Sequence, residues 1–66
     1  MFELYGSKIR QRRKELGLKL HQVAERAGLS CAIVSIYERN MISGPSLITV
    51  RRLEAALGVE KGTFFS

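Results

Sequence analysis

Residues 20–39 read LHQVAERAGLSCAIVSIYER. Two short helical patterns flank a Gly-Leu-Ser break. Leu20, Val23, Ala24 and Ala27 recur at three- and four-residue steps, and Val34 and Tyr37 repeat that spacing beyond the break, as one face of an α-helix does. Gly28 stands one residue past the first set, where a helix can end in the left-handed conformation without a Cβ clash. Ser30 stands just before the second set, where its hydroxyl can accept a backbone N–H and open a new helix. Two helices joined by a three-residue turn containing glycine form a helix-turn-helix, with axes at about 90–120°. Ala24 faces that turn, where a larger side chain would hold the helices apart.

Outward from this motif, the upstream chain predicts a helix from Gly6 or Ser7 to Leu16. Ser7 serves as N-cap, Ile9 and Leu16 face inward, and Gly17 closes the helix. Its centre, Arg10-Gln11-Arg12-Arg13-Lys14, is strongly basic and leaves a narrow apolar stripe. Phe2, Leu4 and Tyr5 make the first five residues too apolar for a free tail, so this segment is expected to pack on the domain or on a partner. Downstream, Asn40 suits a helix exit in the left-handed region. The loop to Pro45 holds turn formers together with Met41 and Ile42. Ser46 caps a fourth helix running to Leu57, with Leu47, Val50, Leu53 and Leu57 on one side, Pro45 just before its start and Gly58 just past its end. A fifth short helix from about Glu60 would fold Phe64 and Phe65 over the core. The expected fold is all-α: five short helices in one domain over residues 1–66, with the helix-turn-helix at 20–39 and low contact order.

Sixty-six residues allow one small domain, and a chain of that size buries only about 60% of its unfolded surface, so its stability rests on tight helix packing. One cysteine and one histidine, Cys31 and His21, provide neither an internal disulfide nor a metal cluster. That usage points to the cytoplasm as compartment. Apolar runs of four or five residues fall far short of the roughly 20 needed to cross a bilayer. There is no paired-carboxylate site, Gly-rich phosphate loop or catalytic triad, so neither an enzyme nor a cofactor is expected. Eleven Lys/Arg against six acidic residues, all glutamate, give a net charge of +5. Such a balance suits a polyanion, and double-stranded DNA is the commonest for so small a basic domain.

Several segments together resemble one family. The run LGLKL at 16–20, the V-A-x-x-A-G-L-S of 23–30, the I-V-S-x-Y-E-R-N of 33–40, the P-S-L-x-T-V-R-R-L of 45–53 and the closing Phe64-Phe65 are similar to the helix-turn-helix domain of the Cro/phage-repressor type, also called the XRE family. The resemblance covers residues 8–65 and implies a lambda-repressor-like DNA-binding domain. L-K-L with P-S-L-x-T-V is most similar to the heads of repressors that carry a sensing cupin barrel, so the chain is expected to be either a stand-alone regulator or a head detached from an effector domain.

The resemblance also implies roles for particular residues. Arg13 in the first helix is expected to pair with Glu38 near the end of the recognition helix. That helix would lie in the major groove with its N-terminal residues at base edges, which brings Cys31, Ala32 and Ile36 to the bases with Ile33 and Ser35 beside them. The family often has Gln, Arg, Asn or Ser at several of these places and Gln where Leu20 stands. Phosphate contact therefore falls to Lys19, His21, Ser30, Arg39, Ser43 and Ser46 and to the backbone N–H groups at helix starts. His21 and the basic run at 10–14 also suit a simple solvated face. The expected function is a sequence-specific transcriptional regulator, a repressor, binding a near-palindromic operator as a homodimer. Its dimer surface would lie near the end of the fourth helix and the Phe64-Phe65 tail. The alternative is the same fold used as a protein-interaction module, with Cys31, Ile33, Ile36, Met41 and Ile42 as an apolar docking face.

Overall fold

The computed structural model of the chain describes residues 3–65; Phe2, grouped above with Leu4 and Tyr5, lies outside them. Among the described residues four α-helices follow one another: α1 Gly6–Glu15, α2 Leu20–Ala27, α3 Cys31–Glu38 and α4 Leu47–Ala56. The core is one cluster drawn from all four helices and both ends of the chain. It contains Leu4, Ile9, Val23, Ala24, Ala27, Val34, Tyr37, Val50, Leu53, Leu57 and Phe64.

Helix ends follow local chemistry where a capping residue is present. Gly28 caps α2 in the left-handed region at φ 69°, and Leu29 N–H closes the turn onto Ala24 O at 2.9 Å. Ser30 Oγ accepts from Ile33 N–H at 3.2 Å and opens α3. Asn40 leaves α3 at φ 56°, the one non-glycine residue with positive φ among those described. Ser46 Oγ accepts from Thr49 N–H at 3.4 Å, while Ser46 N–H donates to Tyr37 Oη at 3.0 Å and ties the start of α4 to α3.

Three expectations are corrected. Ser7 is not the N-cap of α1; Tyr5 is, without a side-chain capping bond. The reason is long-range. Tyr5 N–H donates to Phe64 O at 2.7 Å, and Gly6 lies so close to the end of α3 that a Cβ there would sit 2.3 Å from Tyr37 O. Packing against distant chain fixes where α1 begins. Leu16 is not an inward residue but 39% exposed: the helix ends at Glu15, Gly17 turns the chain at φ 68°, and Leu18 packs against the core in its place.

The fifth helix does not form, so the all-α fold has four helices among the described residues. Residues 60–63 make a turn, and Phe65 joins Leu4 in an isolated antiparallel bridge. Glu54 explains this. Its buried carboxylate Oε2 accepts from Gly62 N–H at 2.8 Å and from Phe64 N–H at 3.2 Å, so those donors are held by α4 while Gly62 adopts φ 90°. Phe64 still caps the core, brought there by a carboxylate rather than by a helix.

Candidate nucleic-acid interface

The outer side of α3 is the surface the helix-turn-helix presents. Cys31 and Ala32, in its first turn, are exposed, whereas Ile33, Ser35 and Ile36 are half-buried. Ile33 packs against the core, as does Ile42. The continuous apolar face expected from Cys31, Ile33, Ile36, Met41 and Ile42 is therefore broken up. Cys31 is a free, exposed thiol, and Met41 is 71% exposed in the loop after α3. The presented chemistry is small and weakly polar: a thiol, a methyl, an aliphatic edge and the Ser35 hydroxyl.

Arg13 and Glu38 hold α3 against α1. Arg13 Nε donates to Glu38 Oε2 at 2.6 Å and Nη2 to Oε1 at 3.1 Å, a bidentate geometry that fixes both planes. Arg13 Nη1 donates to Leu18 O at 2.9 Å, so the same guanidinium also pins the turn between α1 and α2. The Glu38 side chain is 5% exposed and that of Arg13 14%. The hydrogen bond to Glu38 raises the Arg13 pKa above its ordinary value against the opposing effect of burial, and the Glu38 charge raises it further. Arg13 is thus fully spent inside the fold. Arg12, next to it, donates from Nε to Leu57 O at 3.0 Å and binds the end of α4 to α1.

The candidate phosphate residues are all exposed. Lys19 and His21 flank the start of α2, Ser30 the start of α3, and Ser43 and Ser46 the loop into α4. The Ser30 and Ser46 hydroxyls already accept capping bonds. Lys19 N–H donates to Gln22 Oε1 at 2.8 Å, which withdraws one backbone donor from the start of α2. Arg39 extends from the end of α3, its Nε donating to Ser35 O at 3.4 Å.

A cleft of about 220 Å³ runs between α1, the first residue of α2 and the last turn of α3, lined by Arg10, Arg13, Leu20, Ser35, Glu38 and Arg39. Only the basic run at 10–14 hinted at it, and which of its charges faces α3 depends on how α1 packs. Among the described residues no His, Cys, Asp or Glu side chains gather as a metal site, and no helix is long and apolar enough to cross a membrane.

Comparison with known proteins places this geometry. SinR, an HTH-type transcriptional regulator of Bacillus licheniformis, is 35% identical over 63 residues, covering 96% of this chain and 57% of SinR. The chain thus spans little more than half the length of that relative. The crystal structure of SinR in complex with DNA superposes with a TM-score of 0.81 at 37% identity, over 91% of this chain and 95% of that one. The P22 c2 repressor in complex with a synthetic operator gives a TM-score of 0.78 at 29% identity, over 89% of this chain and 88% of that one. Residues 9–64 match the family described as helix-turn-helix, and the chain belongs to that family.

Proposed function

We propose that this chain is a sequence-specific DNA-binding transcriptional regulator, a repressor that sets α3 into the major groove of an operator. The observation that carries the reading is the outer side of α3. Cys31 and Ala32 in its first turn lie open to solvent, at the end that reaches base edges in such complexes. The net charge of +5 supplies attraction to the duplex, and the likeness to SinR and the P22 repressor on DNA supports the same docking. Base reading falls to Cys31, Ala32, Ser35 and Ile36, with Ile33 held partly by the core, and phosphate contact to Lys19, His21, Ser30, Arg39, Ser43 and Ser46. Arg13 and Glu38 keep α3 in place.

The regulator acts as a homodimer. The longest dimension of the molecule is 31 Å, while half-sites on one face of B-DNA lie about 34–36 Å apart, so one copy reaches one half-site. A second copy multiplies affinity through effective concentration. Phe64 is buried, which removes it from the expected dimer surface at the C-terminal end. Among the described residues the exposed large apolar side chains are Leu16, Met41, Leu47 (44%) and Ile48 (69%). In a longer native protein, a sensing or partner-binding domain would set when the head binds.

The test is a salt-titrated gel shift on operator candidates and random DNA, with Ile36→Glu as the control variant. Binding that weakens steeply with salt, and that Ile36→Glu abolishes while the far-UV spectrum and melting curve are kept, supports the proposal. No shift at about 50 mM salt, where counterion release is large, would sink it. That result would favour the protein-interaction reading, which the exposed Met41 and Ile48 side chains otherwise support.

A further inference from the structure

We infer that Arg10 and Arg39 form a two-arginine clamp for a DNA backbone phosphate beside the groove that α3 enters, an inference that rests on the function proposed above. The two residues come from α1 and the end of α3, 29 positions apart in sequence, yet line the same cleft together with Leu20 and Ser35. The cleft contains one carboxylate, Glu38, and both of its oxygens are taken by Arg13. Arg13 and Glu38 therefore cancel, and the charge the cleft shows to solvent is that of Arg10 and Arg39. Both are exposed, so neither is desolvated before a ligand arrives.

Arg39 is held in position by the bond from its Nε to Ser35 O, which leaves both terminal guanidinium nitrogens for an acceptor. Ser35, whose carbonyl positions Arg39, lies on the same cleft and on α3 next to Ile36. An anion seated there is thus beside the recognition helix, not on a remote face. Guanidinium forks match phosphate oxygens in pairs, and Leu20 offers no competing hydrogen-bond partner. The phosphodiester flanking the occupied groove is the anion this placement favours.

The experiment is fluorescence anisotropy on a labelled 24-base-pair duplex across a salt series, with Arg10→Gln, Arg39→Gln, the double variant and Arg26→Gln. Arg26 is exposed near the end of α2 and outside the cleft, so its variant loses the same charge without the site. Because the clamp neutralises one phosphate, each cleft variant should flatten the slope of log K against log salt measurably and the double variant by about 1 in total, uniformly across sequences. Arg26→Gln should leave the slope within error of the parent chain. Melting curves for every variant keep folding separate from binding. If Arg10→Gln and Arg26→Gln give the same slope while Ile36→Glu still abolishes binding, the clamp is wrong and the function stands. A parent chain that binds no duplex overturns both. A third arm titrates inorganic phosphate against backbone amide shifts. Millimolar phosphate moving Leu20 and Ser35 while the arginine variants bind DNA normally would make the cleft a small-anion site and overturn the clamp.

Discussion

Replacing Arg13 by alanine should cost far more than replacing its neighbour Arg12, although both are arginines on one turn of α1. Arg13 loses two charge-assisted bonds to Glu38 and one to Leu18 O, and it leaves a carboxylate that is 5% exposed without a cation. Breaking a buried pair from one side costs about 3–5 kcal/mol. The lower end applies here, since Arg13 is itself partly open and its removal admits water to Glu38. Arg12→Ala loses the bond to Leu57 O and a contact at 3.5 Å to exposed Glu15, about 1 kcal/mol. A domain of this length has roughly 3–10 kcal/mol of stability in total, and each kcal/mol moves the melting temperature by about 4–8 °C. Arg13→Ala should therefore lower Tm by roughly 12–24 °C, or leave the chain largely unfolded, and Arg12→Ala by roughly 4–8 °C.

Thermal unfolding followed by circular dichroism at 222 nm measures both. A companion variant carrying Arg13→Leu with Glu38→Leu removes both charges and should regain most of the loss, because the penalty lies in the orphaned carboxylate rather than in the missing pair. Equal midpoints for Arg13→Ala and Arg12→Ala, or a double variant no better than Arg13→Ala, would refute this account. The sign of the pH effect follows from the raised Arg13 pKa. A cation whose folded pKa exceeds its unfolded one stabilises fully below the unfolded value, and the stabilisation fades only as pH rises through the folded value. From neutral into mildly alkaline solution, the gap between parent and Arg13→Ala should stay constant.

Gly6→Ala should be severe, since its Cβ would lie 2.3 Å from Tyr37 O, whereas Gly17→Ala meets no atom within 4 Å and bears only the strain of φ 68°, about 1 kcal/mol; urea midpoints in the reverse order would contradict the packing described. Glu54→Gln keeps the shape but turns an ionic acceptor of three hydrogen bonds into a neutral amide, so it should cost about 1–3 kcal/mol and speed hydrogen exchange at Gly62 and Phe64, a result that unchanged protection there would rule out. Ser30→Ala should cost about 1 kcal/mol through loss of the α3 cap, and a chemical-denaturation curve matching the parent would show that the bond from Ile33 N–H contributes nothing.

The helix-turn-helix was legible because its determinants are local. Gly28, Ser30 and Asn40 each settle a backbone conformation within a few residues, and the three- and four-residue steps of Val23, Ala24, Ala27, Val34 and Tyr37 select the buried face. What the sequence hid is carried by contacts between distant segments. Nothing near Glu54 announces that its carboxylate will be 1% exposed and serve backbone donors eight and ten residues on, so Phe64 and Phe65 looked like the end of a helix. Nothing near Gly6 reports that Tyr37 O will press against it. In the basic run, Arg10, Arg12 and Arg13 look alike in sequence, yet one faces an open cleft, one ties down α4 and one is consumed by Glu38. Three identical residue types reach three fates because α1 rotates their stems by about 100° per residue against different neighbours.

That division of labour bears on how the proposed complex would read DNA. A bidentate side chain at a base edge contributes about 1–3 kcal/mol of discrimination, and the first turn of α3 offers Cys31 and Ala32, which can make no such pair. Ser35 can form single hydrogen bonds, while Ile36 can touch a thymine methyl. The charged groups around this surface, Lys19, Arg10 and Arg39, would in that complex act on phosphates, contacts that are blind to sequence. Specific binding by this head would then exceed non-specific binding by a smaller margin than in a domain with glutamine or arginine on the same turn. The remainder would come from duplex shape and from the spacing that two copies impose. Substituting Ala32→Gln tests this directly. The exposed side chain at that position should gain an adenine preference, visible when selected sequences from a random duplex pool are compared with those of the parent. If the parent already selects one sharply defined sequence and Ala32→Gln leaves it unchanged, α3 is not the reading element, and the orientation proposed for the whole domain on DNA is wrong.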